Sequence, residues 1–387
     1  VTAVEQPVGR ILDKSGRGNH ATQATTTKRP IYSRRANLLT KTEQFNDVAW
    51  VSDAGTVTPN AYTSPTGRVF AKYTPDGTNV GNHRVRQAIT LPTVAHTLSF
   101  EVKAAGYTGI KLRATTAWVN FDLTTETVGN SLNVSSPTIA ALGDGVYRVS
   151  CTFSVGAANA YIYIDPNDTV SSDTAAFAGD GTSGIYISAA SVTLATDAHL
   201  PYQWVNTDTD YDADPNKFPA YLRFDGVDDA LQTGNIDFTS TDKMTVWAGY
   251  SSESISTIQY LATNSVPSGR FTLIHHQSTS SQFESRGSTG SGYAASPAIT
   301  GSHVLCGIGD ISANSSVLRR GGVQVGQSAS IQGATTYALA PLIIGARSSG
   351  DLNFNGRLYS LIVRGAQTPL SQIEATELYI KQKMRMP

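Results

Sequence analysis

Charge is scarce in this chain. Asp, Glu, Lys and Arg make up 15 % of its 387 residues, against about 25 % in an ordinary globular domain. The 29 basic residues nearly cancel the 30 acidic ones, leaving a formal charge of −1. No overall field draws such a chain to nucleic acid or to an anionic membrane surface, so neither is an expected partner. No apolar run approaches the roughly 20 residues that cross a bilayer, so no membrane insertion is expected. Val1 opens no basic-then-apolar secretory pattern, and a soluble chain is expected, compatible with a start inside a longer parent. Cysteine is nearly absent: Cys151 sits in the alternating stretch Tyr147 to Val155, and Cys306 in the apolar stretch Val304 to Ile308. Both read as small buried hydrophobes rather than a disulfide pair, which leaves the redox compartment open.

Catalytic signatures are missing as well. A glucanase built on a β-sandwich carries closely spaced carboxylates, Glu-x-Asp-x-x-Glu, along one strand. Here Glu101 and Glu284 stand without acidic neighbours two or four residues away. There is no Gly-x-Ser-x-Gly elbow, P-loop or His-Glu-x-x-His. Adjacent His275 and His276 point to opposite faces of a strand, so they are a poor zinc pair. Coiled-coil heptads and repeats of solenoid or propeller period are also lacking.

What the chain does have is turn chemistry and alternation. Its 34 glycines, with abundant Ser, Thr and Asn, punctuate many short strands, so an all-β fold is expected. Leu98 to Val102, Tyr147 to Val155, Gly184 to Ser188 and Met244 to Tyr250 alternate with period two, as half-buried antiparallel strands do. Pro341 to Gly345 and Leu358 to Val363 are apolar throughout and predict strands covered on both faces. One helix is expected, opening on the capping box Ser371-Gln372-Ile373-Glu374 and covering one end of a sandwich. The length favours two antiparallel β-sandwich cores over one. The polar, acidic run Asn206 to Pro215 reads as an exposed connector, and a second break falls near Arg34-Arg35-Ala36.

Three segments together resemble a known family. Asp13-Lys14-Ser15-Gly16-Arg17-Gly18-Asn19-His20-Ala21-Thr22-Gln23, the strand Leu222 to Asp229, and Phe354 to Val363 followed by Leu370-Ser371 are similar to concanavalin A-like (laminin-G-like) lectin domains of phage and bacterial surface proteins. Between the first two lies a stretch that resembles the jelly-roll module of phage head-spike and tail-fibre proteins, related to carbohydrate-binding modules. It runs from Asn37 to Trp50 through Pro75-Asp76-Gly77-Thr78, Gln87 to Leu91, Phe121 to Thr125 and Gly143 to Arg148. Val146 stands where that family often has Trp, and an aromatic common near Ile187 to Ala190 is missing. The resemblance implies a nested layout. Residues 1–35 would open the lectin-like sandwich, 36–205 would form the inserted jelly roll, 206–219 would connect them, and 220–387 would complete the sandwich.

A sugar site needs an aromatic face and planar polar groups beside it. The inserted stretch offers His83, Arg84, Arg86 and Gln87 on one predicted strand, Trp118 and Asn120 on another, and Tyr161 and Tyr163 on a third. Calcium is a second candidate, because Asp225, Asp228 and Asp229 cluster at a turn and lectin-like sandwiches recruit it through carboxylates. The expected function is a non-enzymatic virion surface protein, a tail fibre, spike or head fibre, that binds host-surface polysaccharide for adsorption through weak multivalent contacts. Two alternatives stay open: a structural or decoration protein that binds other virion proteins without sugar, and a glycan-degrading tail-spike enzyme. The family resemblance further implies a trimeric homo-oligomer on the virion surface.

Overall fold

The structure is a computed structural model that describes residues 3–154, 160–167, 176–264, 266–277, 279–347 and 351–386. Val1 and the expected strand end at Val155 lie outside the described residues. The chain divides into two compact units, residues 1–34 with 215–387, and residues 35–214. Each is built on two antiparallel sheets, as an all-β reading requires.

In the 35–214 unit, one six-stranded sheet orders Thr127–Leu132, Ala117–Asp122, Gly109–Ala114, Ala160–Asn167, Arg84–Ile89 and Val51–Asp53. The other orders Val134–Gly143, Val146–Ser154, Ala95–Ala105, Gly184–Leu194, Val69–Pro75 and Gly55–Thr63. Alternation does the sorting. Leu98, Phe100 and Val102 point inward and meet Cys151, Val149 and Tyr147 across the ladder. Phe45 and Trp50 close the core with ring centroids 4.9 Å apart, and the Trp50 indole donates to the Lys41 carbonyl at 2.9 Å. Both cysteines are free and buried, and burial alone pushes the Cys151 thiol up to about 12.

The ends of this unit are tied by a buried polar knot. Asn37 donates to the carbonyls of Ala190 (2.9 Å) and Gln203 (3.0 Å) and accepts from the amides of Leu39 and Val192. Gln203 in turn accepts from the amides of Ala36 and Asn37. Every polar atom of the Asn37 amide is therefore in use, which is what makes burial of an amide tolerable.

The other unit has two eight-stranded sheets. In one, Ile31–Ser33 pairs with Tyr221–Asp225, setting Tyr32 opposite Leu222; in the other, Ala21–Thr22 pairs with Leu231–Asp237. Residues from before and after the 35–214 unit thus share the same ladders. Met244, Val246, Ala248 and Tyr250 face the core, while Trp247 faces the opposite side with Val304 and Cys306. The strand Lys243–Ser252, expected to be half-buried, is buried on both faces. The cause is the helix Leu370–Lys383, whose Ile373 and Ile380 cover Trp247, Val304 and Cys306. It lies across a sheet face, not at a sandwich end. Close approach depends on Gly249, where an added Cβ would stand 2.4 Å from Ile380 Cγ2. Arg319 fixes the helix with two hydrogen bonds to Glu377, at 3.0 and 3.1 Å.

Two local expectations need correction. The helix opens at Leu370 with Pro369 as its N-cap and no side-chain cap bond. Ser371 is therefore already inside the first turn, and the expected capping box does not form. The acidic run is not a free connector either. Asn206 and Asp210 close a turn by a 2.9 Å backbone bond, Tyr211 is buried, and Gln203 donates to the Asp212 carbonyl. Past the unit boundary Phe218 is fully buried, and its carbonyl accepts from Arg34 at 2.7 Å. Backbone polarity and one aromatic residue bind each half of the segment to its own unit.

Candidate functional site

The sheet that carries Arg84–Ile89, Ala160–Asn167, Gly109–Ala114 and Ala117–Asp122 sends Val85, Ile162, Ile164, Ile110, Leu112, Val119 and Phe121 into the core. Residues of the other parity stand on the outer face. Register then aligns them: Trp118 lies opposite Arg113, Arg113 opposite Tyr163, and Tyr163 opposite Arg86. Asp53 joins from the edge strand, opposite Arg84.

Guanidinium groups and rings interlock here. Arg84 lies 4.6 Å and Arg113 5.9 Å from the Tyr163 ring centroid, while Arg86 lies 5.1 Å from that of Tyr161. The two tyrosine rings are 5.9 Å apart. Asp53 Oδ2 accepts from Arg84 Nε at 2.8 Å and from Arg86 Nε at 2.7 Å. Burial works against the Asp53 charge, but the hydrogen bonds from Arg86 and Arg84 outweigh it and hold the carboxyl below its usual range. Three arginines against one carboxylate leave the face cationic. Tyr161, at 40 % exposed, is open to solvent.

Not every expected residue belongs to this face. His83 is buried before the strand, with Nδ1 2.6 Å from the Ala54 carbonyl and Nε2 2.9 Å from that of Phe177. Gln87 has the inward parity, and its amide bonds both the N–H and the carbonyl of Thr40, at 3.0 and 2.9 Å. Both serve the scaffold and are removed from the candidate set. Asn120 has the outward parity but is fully buried, accepting from Asn167 at 3.1 Å. Beside it, Lys111 and Asp165 form a buried ion pair at 3.0 Å, in which burial pushes the Asp165 carboxyl up against the pull of Lys111. The face open to a ligand is thus Arg84, Arg86, Arg113, Trp118, Tyr161 and Tyr163. Sequence reasoning missed Arg113 and Asp53. Arg113 was within reach, since it follows Ile110-Lys111-Leu112 in strict alternation. Asp53 was not, because only pairing brings it near.

The carboxylates of Asp225, Asp228 and Asp229 come within 4.8 Å of one another. Asp225 accepts from the amides of Val227 and Asp228, and Asp229 accepts from the Asp225 amide. An open cleft of about 560 Å³ lies beside them, lined also by Arg29, Arg223 and Glu253. Burial, then the neighbouring Asp225 charge, pushes Asp229 up to about 6. Clustered carboxylate oxygens are the hard donors that a calcium ion takes, and Arg223 offsets part of their charge.

Elsewhere, Glu101 is held by Arg68 at 3.2 Å and Arg148 at 3.1 Å. His275 Nδ1 meets the Tyr250 hydroxyl at 3.0 Å, and His276 Nδ1 meets the Thr257 carbonyl at 2.7 Å. Burial, then the neighbouring His303, lowers His275 to about 3. The two rings thus serve different partners.

No protein-family model matches the chain, and no curated protein matches it. Among solved structures, the chain is similar to the CBM40 of the Ruminococcus gnavus IT-sialidase bound to α2,3 sialyllactose, at 15 % identity over 38 % of this chain and 97 % of that one, with a TM-score of 0.30. It is similar to the heptameric SAP-like pentraxin of Limulus polyphemus, at 10 % identity over 41 % of this chain and 82 % of that one, with a TM-score of 0.34. Domains LG4-5 of the mouse laminin α1 chain match at 12 % identity over 87 % of this chain and 94 % of that one, with a TM-score of 0.29.

Proposed function

We propose that this chain is a non-catalytic glycan-binding protein whose 35–214 unit takes acidic saccharides on the outer face of the Arg84–Ile89 sheet. One observation carries this reading. Arg84, Arg86 and Arg113 surround Tyr163 and Tyr161 on an open sheet face, with Asp53 neutralising only part of the charge. Guanidinium forks satisfy carboxylates and vicinal hydroxyls in planar pairs, and the tyrosine edges and Trp118 offer apolar contact to a pyranose. The arginines are pre-ordered by their rings and by Asp53, so little side-chain entropy is lost on binding.

Host-surface polysaccharide as the ligand, a virion appendage as the setting and a trimer as the assembly form part of this proposal, and rest on the sequence resemblance. Calcium at Asp225, Asp228 and Asp229 belongs to it as well, supported by the approach of the three carboxylates to within 4.8 Å of one another.

The test is a glycan array with sialylated, uronic-acid and neutral saccharides, followed by titration of the best acidic binder. Acidic glycans are expected to dominate, and Arg86→Ala and Tyr163→Ala should each weaken binding by about tenfold. Raising salt should weaken it further, because exposed charge pairs are screened. Absence of acidic-glycan binding, or indifference to both substitutions, would favour the structural decoration role. Release of new reducing ends would favour an enzyme.

A further inference from the structure

The unit formed by residues 1–34 and 215–387 carries its own polar cleft. Strands Gln259–Thr263, Arg270–Gln277, Ser280–Arg286 and Ser291–Pro297 lie side by side in one sheet. Their inward parity supplies Leu261, Phe271, Leu273, Phe283 and Ala294 to the core. The outer face holds an open cleft of about 500 Å³, lined among others by Tyr260, Arg270, Ile274, Gln282, Glu284 and Tyr293.

Register fixes the layout. Tyr260 pairs with Ile274, and Ile274 with Gln282; Glu284 pairs with Tyr293 one step along. The backbones of the two tyrosines therefore stand on the outer members of four strands, roughly 14 Å apart at about 4.8 Å per strand. The cleft between those strands is wider than one sugar ring. Ile274, buried to 3 % exposure, closes the floor of the cleft between their strands.

The polar groups are held yet not exhausted. Arg270 donates through Nε to Glu284 Oε2 at 3.0 Å and through Nη2 to Oε1 at 2.6 Å. Ser291 and Tyr293 hydroxyls also donate to Oε1, at 2.8 and 3.0 Å. Gln282 donates to Ser280 at 2.9 Å. Among the described residues, Arg270 Nη1 and the Gln282 side-chain oxygen make no hydrogen bond, and Glu284 Oε2 accepts only the one from Arg270. Donor and acceptor capacity thus faces the cleft, while the charges of Arg270 and Glu284 cancel in a bidentate pair. Such a surface suits hydroxyl groups and disfavours a net charge, which would have to compete with the pair.

We infer that this cleft is a second saccharide site, selective for uncharged oligosaccharides. It goes beyond the acidic-glycan reading and uses different residues on the other unit. The full-length chain would be titrated with maltotetraose, cellotetraose and laminaritetraose at millimolar concentration, by calorimetry and saturation-transfer NMR. At least one is expected to bind with a Kd insensitive to added NaCl. Tyr293→Ala, a change at a half-exposed side chain, should weaken it by at least about tenfold, and Gln282→Ala, at a partly exposed side chain outside the ion pair, should weaken it while leaving the unfolding midpoint nearly unchanged. Tyr163→Ala should leave neutral-sugar binding unaltered. Lack of binding by all three tetraoses, or binding that survives Tyr293→Ala, would overturn the inference. Loss of neutral-sugar binding in Tyr163→Ala alone would overturn it and keep the cationic face as the saccharide site. Retained neutral-sugar binding with no acidic-glycan binding would do the reverse.

Discussion

At the scale of single residues, the informative positions are those whose ordinary chemistry has been displaced by their surroundings. Asp229 is the clearest, with its carboxyl pushed up to about 6 from the ordinary 3.8 by burial and then by the Asp225 charge. The folded state therefore holds this proton at pH values where the unfolded chain has lost it. Its contribution to stability is complete below 3.8 and is lost as pH rises through 6. Without calcium at pH 7, Asp229→Asn is expected to raise stability by about 1–3 kcal/mol, since Asn keeps an acceptor for the Asp225 amide and removes the charge. Urea midpoints between acid and neutral pH would show it, and saturating calcium should reverse the ranking by stabilising only the wild type. A variant less stable than wild type in calcium-free buffer at pH 7 would count against the charge-repulsion account. His83 and Gln87 teach the opposite lesson. Their side chains are polar in the sequence, but their hydrogen bonds are spent on the backbone of Ala54, Phe177 and Thr40.

At the scale of elements, alternation explains the strands, and burial of the second face explains the departures from it. Met244 to Tyr250 reads as half-buried because its residues alternate with period two. The helix Leu370–Lys383 then covers the second face through Ile373 and Ile380. Arg319 and Glu377, whose side chains are 8 % and 2 % exposed, anchor that helix. Breaking a buried pair by removing one partner leaves an uncompensated charge, so Glu377→Ala should cost about 3–5 kcal/mol. The loss would be read by chemical denaturation and by a red shift of Trp247 emission as the helix lifts. An unchanged midpoint would mean that the apolar contacts alone dock the helix.

At the scale of the molecule, two separate cores occupy two units, one of them continuous in sequence and the other assembled from residues 1–34 and 215–387. Asn37 and Gln203 close the continuous unit where its ends meet. Asn37→Ala would strand the amides of Leu39 and Val192 and the carbonyls of Ala190 and Gln203, and is expected to cost about 2–4 kcal/mol. Calorimetry should place that loss in one of two transitions, with Glu377→Ala lowering the other. A single transition shifted equally by both substitutions would show that the units unfold together.

Local pattern was enough for the β class, for the inward sides of Leu98 to Val102 and Tyr147 to Ser154, for the burial of Leu342, Ile343 and Ile344 within the expected stretch Pro341 to Gly345, and for the presence of a C-terminal helix. These depend on side-chain periodicity, which is a property of neighbours in sequence. Arg84, Arg86, Trp118, Tyr161 and Tyr163 were visible for the same reason, as exposed-parity residues of their strands. Tertiary structure alone decided the rest. Ladder register brought Asp53 to Arg84 and Arg86, and set Glu284, which looks solitary in sequence, between Arg270 and Tyr293. Where the helix begins, which face it covers and which polar residues are consumed by the scaffold were likewise settled by contacts between distant segments, whose energies no local spacing encodes.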